Sequence, residues 1–164
     1  MQREKPQVHK DRKNRGTLKS HITWEEEREL VVAGLEKVTM LLWGKTCAYL
    51  TRGDRSIGFV SVYPWSGDDR CKADIGYAVA ADYWGQGIAT KAVKMAVPQV
   101  FNDLSYLVRL QAFTSPENKA SQRALEKAGF LKEGLLRKYT YFKGNIKDSV
   151  VFSFLSTDEF PHDD

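Results

Sequence analysis

The stretch Asp74-Ile75-Gly76-Tyr77-Ala78-Val79-Ala80-Ala81-Asp82-Tyr83-Trp84-Gly85-Gln86-Gly87-Ile88-Ala89-Thr90 decides the fold. Its opening residues read as an apolar strand, Gly85 and Gly87 as a loop, and the residues from Ile88 as the first turn of a helix. Such a junction brings free backbone N–H groups and the positive end of a helix dipole to one point. Phosphate is the natural ligand of that point. Glycine has no Cβ to hold an anion away from the backbone, and Ala89 is the next smallest choice. A plain tight turn uses the same residues, so the loop alone leaves both readings open.

Working outward, residues 71–80 form the strand that feeds this loop, and the helix runs from Gly87 to about Leu104. Pro98 inside it should kink or shorten it. A strand over 107–112, a helix over 117–128 and a strand over 131–139 follow. Gly144-Asn145 then turns into a closing strand over 148–155. Upstream, two β-branched and aromatic runs, 45–52 and 55–63, flank Gly53-Asp54, a hairpin signal. Residues 24–37 read as a helix with Thr23 as N-cap and Glu25, Glu26 and Glu27 in its first turn. No strand is legible ahead of it. The order predicts an α/β (α+β) domain whose mixed, mostly antiparallel sheet is flanked by helices.

The net charge of +4 is uneven. Residues 1–20 hold seven Lys or Arg against two acids, +5, which leaves the remaining chain at −1. That leader has almost no large apolar residue and is expected to be disordered, with one domain over 21–160. It is the sole argument for nucleic acid as a partner or for a nuclear location, and a solvated tail explains it as well. No apolar run suits a bilayer or a signal peptide, which argues against a membrane partner. Cys47 and Cys71 are read as reduced thiols of a cytoplasmic protein. His9, His21 and His162 lie near the termini, so no histidine serves a nucleophile in the body, and no Cys/His cluster suggests a metal.

A second segment, Ser115-Pro116-Glu117-Asn118-Lys119-Ala120-Ser121-Gln122-Arg123-Ala124-Leu125-Glu126-Lys127-Ala128-Gly129-Phe130, completes the picture. Together the two resemble the GNAT superfamily of acetyl-coenzyme A-dependent N-acetyltransferases. The loop matches the family's pyrophosphate pattern, in which Gly87 and Ala89 take the last two marked places. The second segment matches an Asn-led helix ending in Lys-x-Gly-Phe. Tyr-Trp-Gly-Gln-Gly and Asn-x-x-Ser-x-Arg look most like the branch that includes ribosomal-protein N-terminal acetyltransferases. The resemblance covers about residues 46–156. Trp84 departs from the pattern's usual Gln or Arg, and Leu125 stands where many members have a tyrosine acid.

The resemblance implies a GNAT-like domain in which two parallel strands, 74–80 and 107–112, splay to admit the pantetheine arm. It implies pyrophosphate on the N–H groups of Gln86, Gly87, Ile88, Ala89 and Thr90, and pantetheine along Tyr77, Ala78 and Val79. The Val79 N–H would hold the thioester oxyanion. Asn118 would contact cofactor or loop, and Ser121 would reach the leaving sulfur. The acceptor is expected to be a primary amine, on a protein N-terminus or a small molecule. An α-amine of pKa ~8 is partly neutral at pH 7, whereas lysine at ~10.4 is not. Asp74 is the candidate base, ahead of Glu117 and Asp82. The alternative is a non-catalytic acyl-coenzyme A-binding module with a remodelled acceptor side.

Overall fold

The computed structural model describes residues 27–30, 38–43, 47–53 and 55–161, with side chains from 50 onward. Eight strands form one sheet: β1 (Glu27–Leu30), β2 (Val38–Trp43), β3 (Cys47–Arg52), β4 (Arg55–Pro64), β5 (Lys72–Val79), β6 (Arg109–Thr114), β7 (Leu131–Phe142) and β8 (Asn145–Leu155), in the order β1-β2-β3-β4-β5-β6-β8-β7. Among the described residues two α-helices, α1 (Ile88–Asp103) and α2 (Lys119–Lys127), accompany the sheet. Every neighbouring pair is antiparallel except β5 and β6. A parallel pair needs a crossover, and α1 supplies it.

One expectation is corrected at the amino end. Glu27–Leu30 lies inside the predicted helix but is a strand, in register with β2 from Glu27↔Leu41 to Leu30↔Val38. Helix propensity is a weak prior, and cross-strand pairing overrides it here. Strand β2 was not foreseen either. The leader over 1–20, the start of the domain at 21, the rest of the predicted helix, and His9, His21 and His162 lie outside the described residues.

The registers place alternate residues on two faces. Val60 and Val62 of β4, Ala73 and Ile75 of β5, Leu110 and Ala112 of β6, and Val150, Phe152 and Phe154 of β8 share one face, all buried. Helix α1 covers that face with Ile88, Ala92, Val93, Ala96, Val97 and Val100, a helical stripe, and α2 adds Leu125. Phe154 packs against Phe101, Phe130 and Phe160 with ring centroids 5.0–6.4 Å apart. Pro98 does not end α1, which continues to Asp103. The buried stripe on either side of it holds the helix to the sheet despite the missing N–H.

On the opposite face a chain of side-chain hydrogen bonds crosses four strands. Trp65 Nε1 donates to Asp74 Oδ1 (3.0 Å), Gln111 Nε2 donates to the same oxygen (2.8 Å), and Arg109 Nε donates to Gln111 Oε1 (3.2 Å). Arg109 then forks onto both oxygens of Glu133, and Ser153 Oγ donates to Glu133 as well. The Arg109 hydrogen bonds, followed by that of Ser153, hold the Glu133 carboxyl down to about 2. A depressed acid stabilises the fold above its ordinary range and loses that contribution as pH falls toward the depressed value. Glu133→Gln should therefore cost stability at pH 7, and parent and variant should converge as pH falls from about 4.5 to about 2. The Glu133 side chain is 41% exposed, so screening holds the neutral-pH difference to about 1 kcal/mol. Urea midpoints across that range check it; a difference unchanged at pH 2.5 would rule the mechanism out.

Candidate active site

Strands β5 and β6 pair over three rungs only: Lys72↔Arg109, Ala73↔Leu110 and Asp74↔Gln111. Beyond them β5 continues to Val79 and β6 to Thr114 without pairing to each other. The strands diverge toward their carboxyl ends, and a gap opens between them. Asp74 and Gln111 form the last rung, and their side chains are bonded across it.

The backbone of β5 offers the gap a definite set of groups. The Ala80 N–H donates to Ile57 O at 2.8 Å, on the β4 side. Backbone direction alternates along a strand, so Ala78 and Gly76 also face β4, while Tyr77 and Val79 face the gap. Two observations agree. Cys71 O, of the same parity as Tyr77 and Val79, accepts from Val108 beside β6, and Val79 O accepts from the Trp84 indole at 2.6 Å. Trp84 is 70% exposed, so its ring lies over the open edge. Ala78 lends the gap no backbone group and exposes its methyl on the other face.

The glycine loop closes the wide end of the gap. Gly85 and Gly87 have φ of 76° and 74°, and a Cβ on either would enter open space. That left-handed conformation is what an L side chain resists and glycine accepts. Gly87 is the N-cap of α1, whose first internal bond runs from Lys91 N–H to Gly87 O. The N–H groups of Ile88, Ala89 and Thr90 precede that bond. The first turn holds no acidic residue, so nothing offsets the dipole there. Gln86 leans back, with Nε2 3.4 Å from Asp82 O. This geometry fits a pyrophosphate.

Helix α2 forms the far wall. Asn118 is its N-cap, with Oδ1 accepting from the Ser121 N–H at 3.0 Å. Its carbonyl oxygen is thus spent on the helix, the local use its position allows. Ser121 is half-buried and faces the gap, because Tyr77 reaches it from β5. The two hydroxyls are 2.9 Å apart, and the Tyr77 hydroxyl also donates to Ser121 O at 3.1 Å. Burial raises the Tyr77 pKa above its ordinary 10, against a smaller lowering by the Ser121 bond, so the phenol stays protonated at neutral pH. Leu125 is buried in the core. The tyrosine of this site thus comes from the strand and not from the helix, and the sequence reading did not assign it that role. Alternation held a clue, since the Tyr77 side chain shares a face with Ile75 and Val79.

Asp74 lies on the opposite face, half-buried, with Oδ1 held by two donors. Cys71 is a free, exposed thiol outside the gap. Among the described residues, no group of three or more His, Cys, Asp or Glu could hold a metal, and no helix is long and apolar enough to cross a membrane.

The profile of the acetyltransferase (GNAT) domain matches residues 4–131. The chain belongs to the GNAT acetyltransferase family. Its mixed, mostly antiparallel sheet with one splayed parallel pair is the GNAT architecture. Among curated GNAT relatives, a Probable N-acetyltransferase YjcK of Bacillus subtilis is 40% identical over 106 residues, covering 65% of this chain and 58% of that protein. The [Ribosomal protein uS5]-alanine N-acetyltransferase of Escherichia coli is 28% identical over 87 residues, 53% of this chain and 44% of that one. The chain spans about half the length of the curated relatives it matches. Among solved structures, the ribosomal-protein-S5-alanine acetyltransferase of Vibrio fischeri aligns with a TM-score of 0.63 at 28% identity, covering 70% of this chain and 63% of that one. Mycobacterium smegmatis RimJ, solved with a CoA-disulfide, aligns at 0.60 and 29%, covering 71% and 53%.

Proposed function

We propose that this chain transfers an acetyl group from acetyl-coenzyme A to a primary amine by direct attack in a ternary complex, in the cytoplasm, with a protein N-terminus as acceptor. One observation carries the reading. The gap beyond the last β5–β6 rung is bordered by an edge of β5 that no strand pairs, by a helix N-terminus with no acid in its first turn, and by the Tyr77–Ser121 hydroxyl pair. The names of the ribosomal-protein relatives support the choice of acceptor.

In this reading the N–H groups of Gly87 to Thr90 hold the pyrophosphate, and Tyr77 and Val79 pair with the pantetheine amides. The Trp84 indole leaves Val79 O as they do so. The amine nitrogen attacks the thioester carbonyl carbon while the Val79 N–H donates to the developing oxyanion. The C–N bond forms, the C–S bond breaks and the sulfur leaves. Ser121 gives its hydroxyl proton to that sulfur, the Tyr77 hydroxyl turns its single proton from Ser121 O to Ser121 Oγ, and solvent restores the phenol's proton. The proton lost by the amine goes to Asp74. Asp74 is three residues from Tyr77 and five from Val79, about 10 and 16 Å of strand, so that transfer runs through water.

Buried Leu125 favours one second reading, an acyl-coenzyme A-binding module without turnover. Amine-dependent thiol release separates the two. Ser121→Ala should lower kcat about 100-fold while leaving the affinity for acetyl-coenzyme A nearly unchanged. Turnover equal to the parent would remove Ser121 from the mechanism. Cofactor binding with no thiol release from any amine would leave the binding module.

A further inference from the structure

The β7–β8 ribbon extends past the sheet. The last rung between β6 and β8 is Thr114↔Val150, yet β8 begins five residues earlier and stays paired with β7 out to Phe142↔Asn145. It therefore stands at the carboxyl end of β6, the end toward which the gap opens. The Ser115 hydroxyl does most to hold the Glu117 pKa below its ordinary value, and the charge of Lys147 on the ribbon adds a smaller lowering, so the ribbon passes near Glu117, which precedes the Asn118 cap of α2.

The tip is both apolar and basic. Tyr141 (74%), Ile146 (62%), Phe142 (59%) and Tyr139 (50%) are exposed beside Arg137, Lys138, Lys143 and Lys147. The acid within it is Asp148, half-buried and accepting the Lys138 N–H at 2.7 Å. Tyr141 and Ile146 are cross-strand partners on one face of the tip, and Phe142 projects from the other; exposed apolar area on a ribbon that reaches past its sheet marks an interaction surface.

We propose that this ribbon docks a polypeptide acceptor whose residues just beyond the reacting amine are acidic and apolar. This rests on the function proposed above. Charge complementarity selects the occupant. A second copy meeting this patch through a twofold axis would bring its four cations against four more. Nucleic acid would need free ring faces for stacking. Tyr139 is stacked on Phe113 at 5.2 Å, and Lys143 Nζ sits over the Phe142 ring at 5.4 Å, which leaves Tyr141 rather than a run of rings for successive bases. The edge of β7, with no strand beside it among the described residues, offers an extended peptide backbone partners as well.

The test uses the full chain, labelled peptides with one common amino-terminal residue and acidic, neutral or basic continuations, and fluorescence anisotropy. The acidic peptide should bind about 10-fold tighter than the neutral one and weaken as salt rises from about 0.05 to about 0.3 M. The K138E/K143E/K147E variant, checked for an unchanged melting temperature, should lose that preference. Equal binding of all three peptides, a preference that survives in the variant, or stronger competition by single-stranded RNA of equal charge would overturn the proposal. Thiol release with ethanolamine, which has no continuation, is measured alongside. Turnover without charge preference sinks the docking surface alone; charge-selective binding without turnover sinks the transferase alone.

Discussion

Gly87→Glu is expected to abolish the rise in melting temperature that acetyl-coenzyme A gives the parent chain. Ligand at ~100 times its dissociation constant adds about 2.7 kcal/mol to a protein that binds it only when folded, a shift of several degrees at this length. The substitution acts in two ways. At φ 74° an L side chain costs about 1–2 kcal/mol, which lowers the melting temperature of the free protein. The carboxylate then projects into the open space beside the N–H groups of Ile88, Ala89 and Thr90 and takes the place of the anion. Gly87→Ala separates the two effects. It carries the same backbone strain without the charge, so it should melt earlier than the parent yet keep much of its ligand-induced shift. If Gly87→Glu kept the full shift, the pyrophosphate would not lie at this helix end. No shift in the parent at millimolar ligand would remove cofactor binding altogether.

This site was legible because its chemistry is local. Gly85 and Gly87 announce a left-handed backbone wherever they sit, and Ile88 to Val100 repeat with helical period, so loop and helix followed from adjacent residues. The hairpin at Gly53 and the alternation along Lys72–Val79 were readable for the same reason. Residues 27–30 and 38–43 were not. A four-residue strand owes its state to the partner beside it, and the glutamates before it suit a helix as well. The side-chain bonds that organise the gap were out of reach too. Tyr77 meets Ser121 across 44 positions and Asp74 meets Gln111 across 37. Those meetings depend on which strand lies next to β5, a property of the whole sheet. Asn118 shows the converse: its residue type and place matched a cofactor contact and a helix cap equally, and the cap is what its oxygen makes.

Gly58→Ala should damage both the fold and the site although it adds one methyl group to a half-buried strand. Gly58 lies opposite Val79 in the β4–β5 register. A Cβ there would stand 2.3 Å from Ala78 O and 3.2 Å from the Val79 Cα. Both are backbone atoms, so no rotamer change relieves the clash and the two strands must part. Overpacking of this kind costs about 1–3 kcal/mol, or about 3–10 °C in melting temperature for a chain of this size. The displaced segment is the one whose Val79 N–H faces the gap, so affinity for acetyl-coenzyme A should fall together with stability. Gly134→Ala is the matched control: it is also in a strand, with nothing within 4 Å of the added Cβ, and should be neutral or slightly stabilising. Calorimetric melting and isothermal titration of both variants decide the matter. Loss of stability in Gly58→Ala with undiminished affinity would mean that β4 yields and β5 keeps Val79 in place, and the link drawn here between strand spacing and the cofactor edge would be wrong.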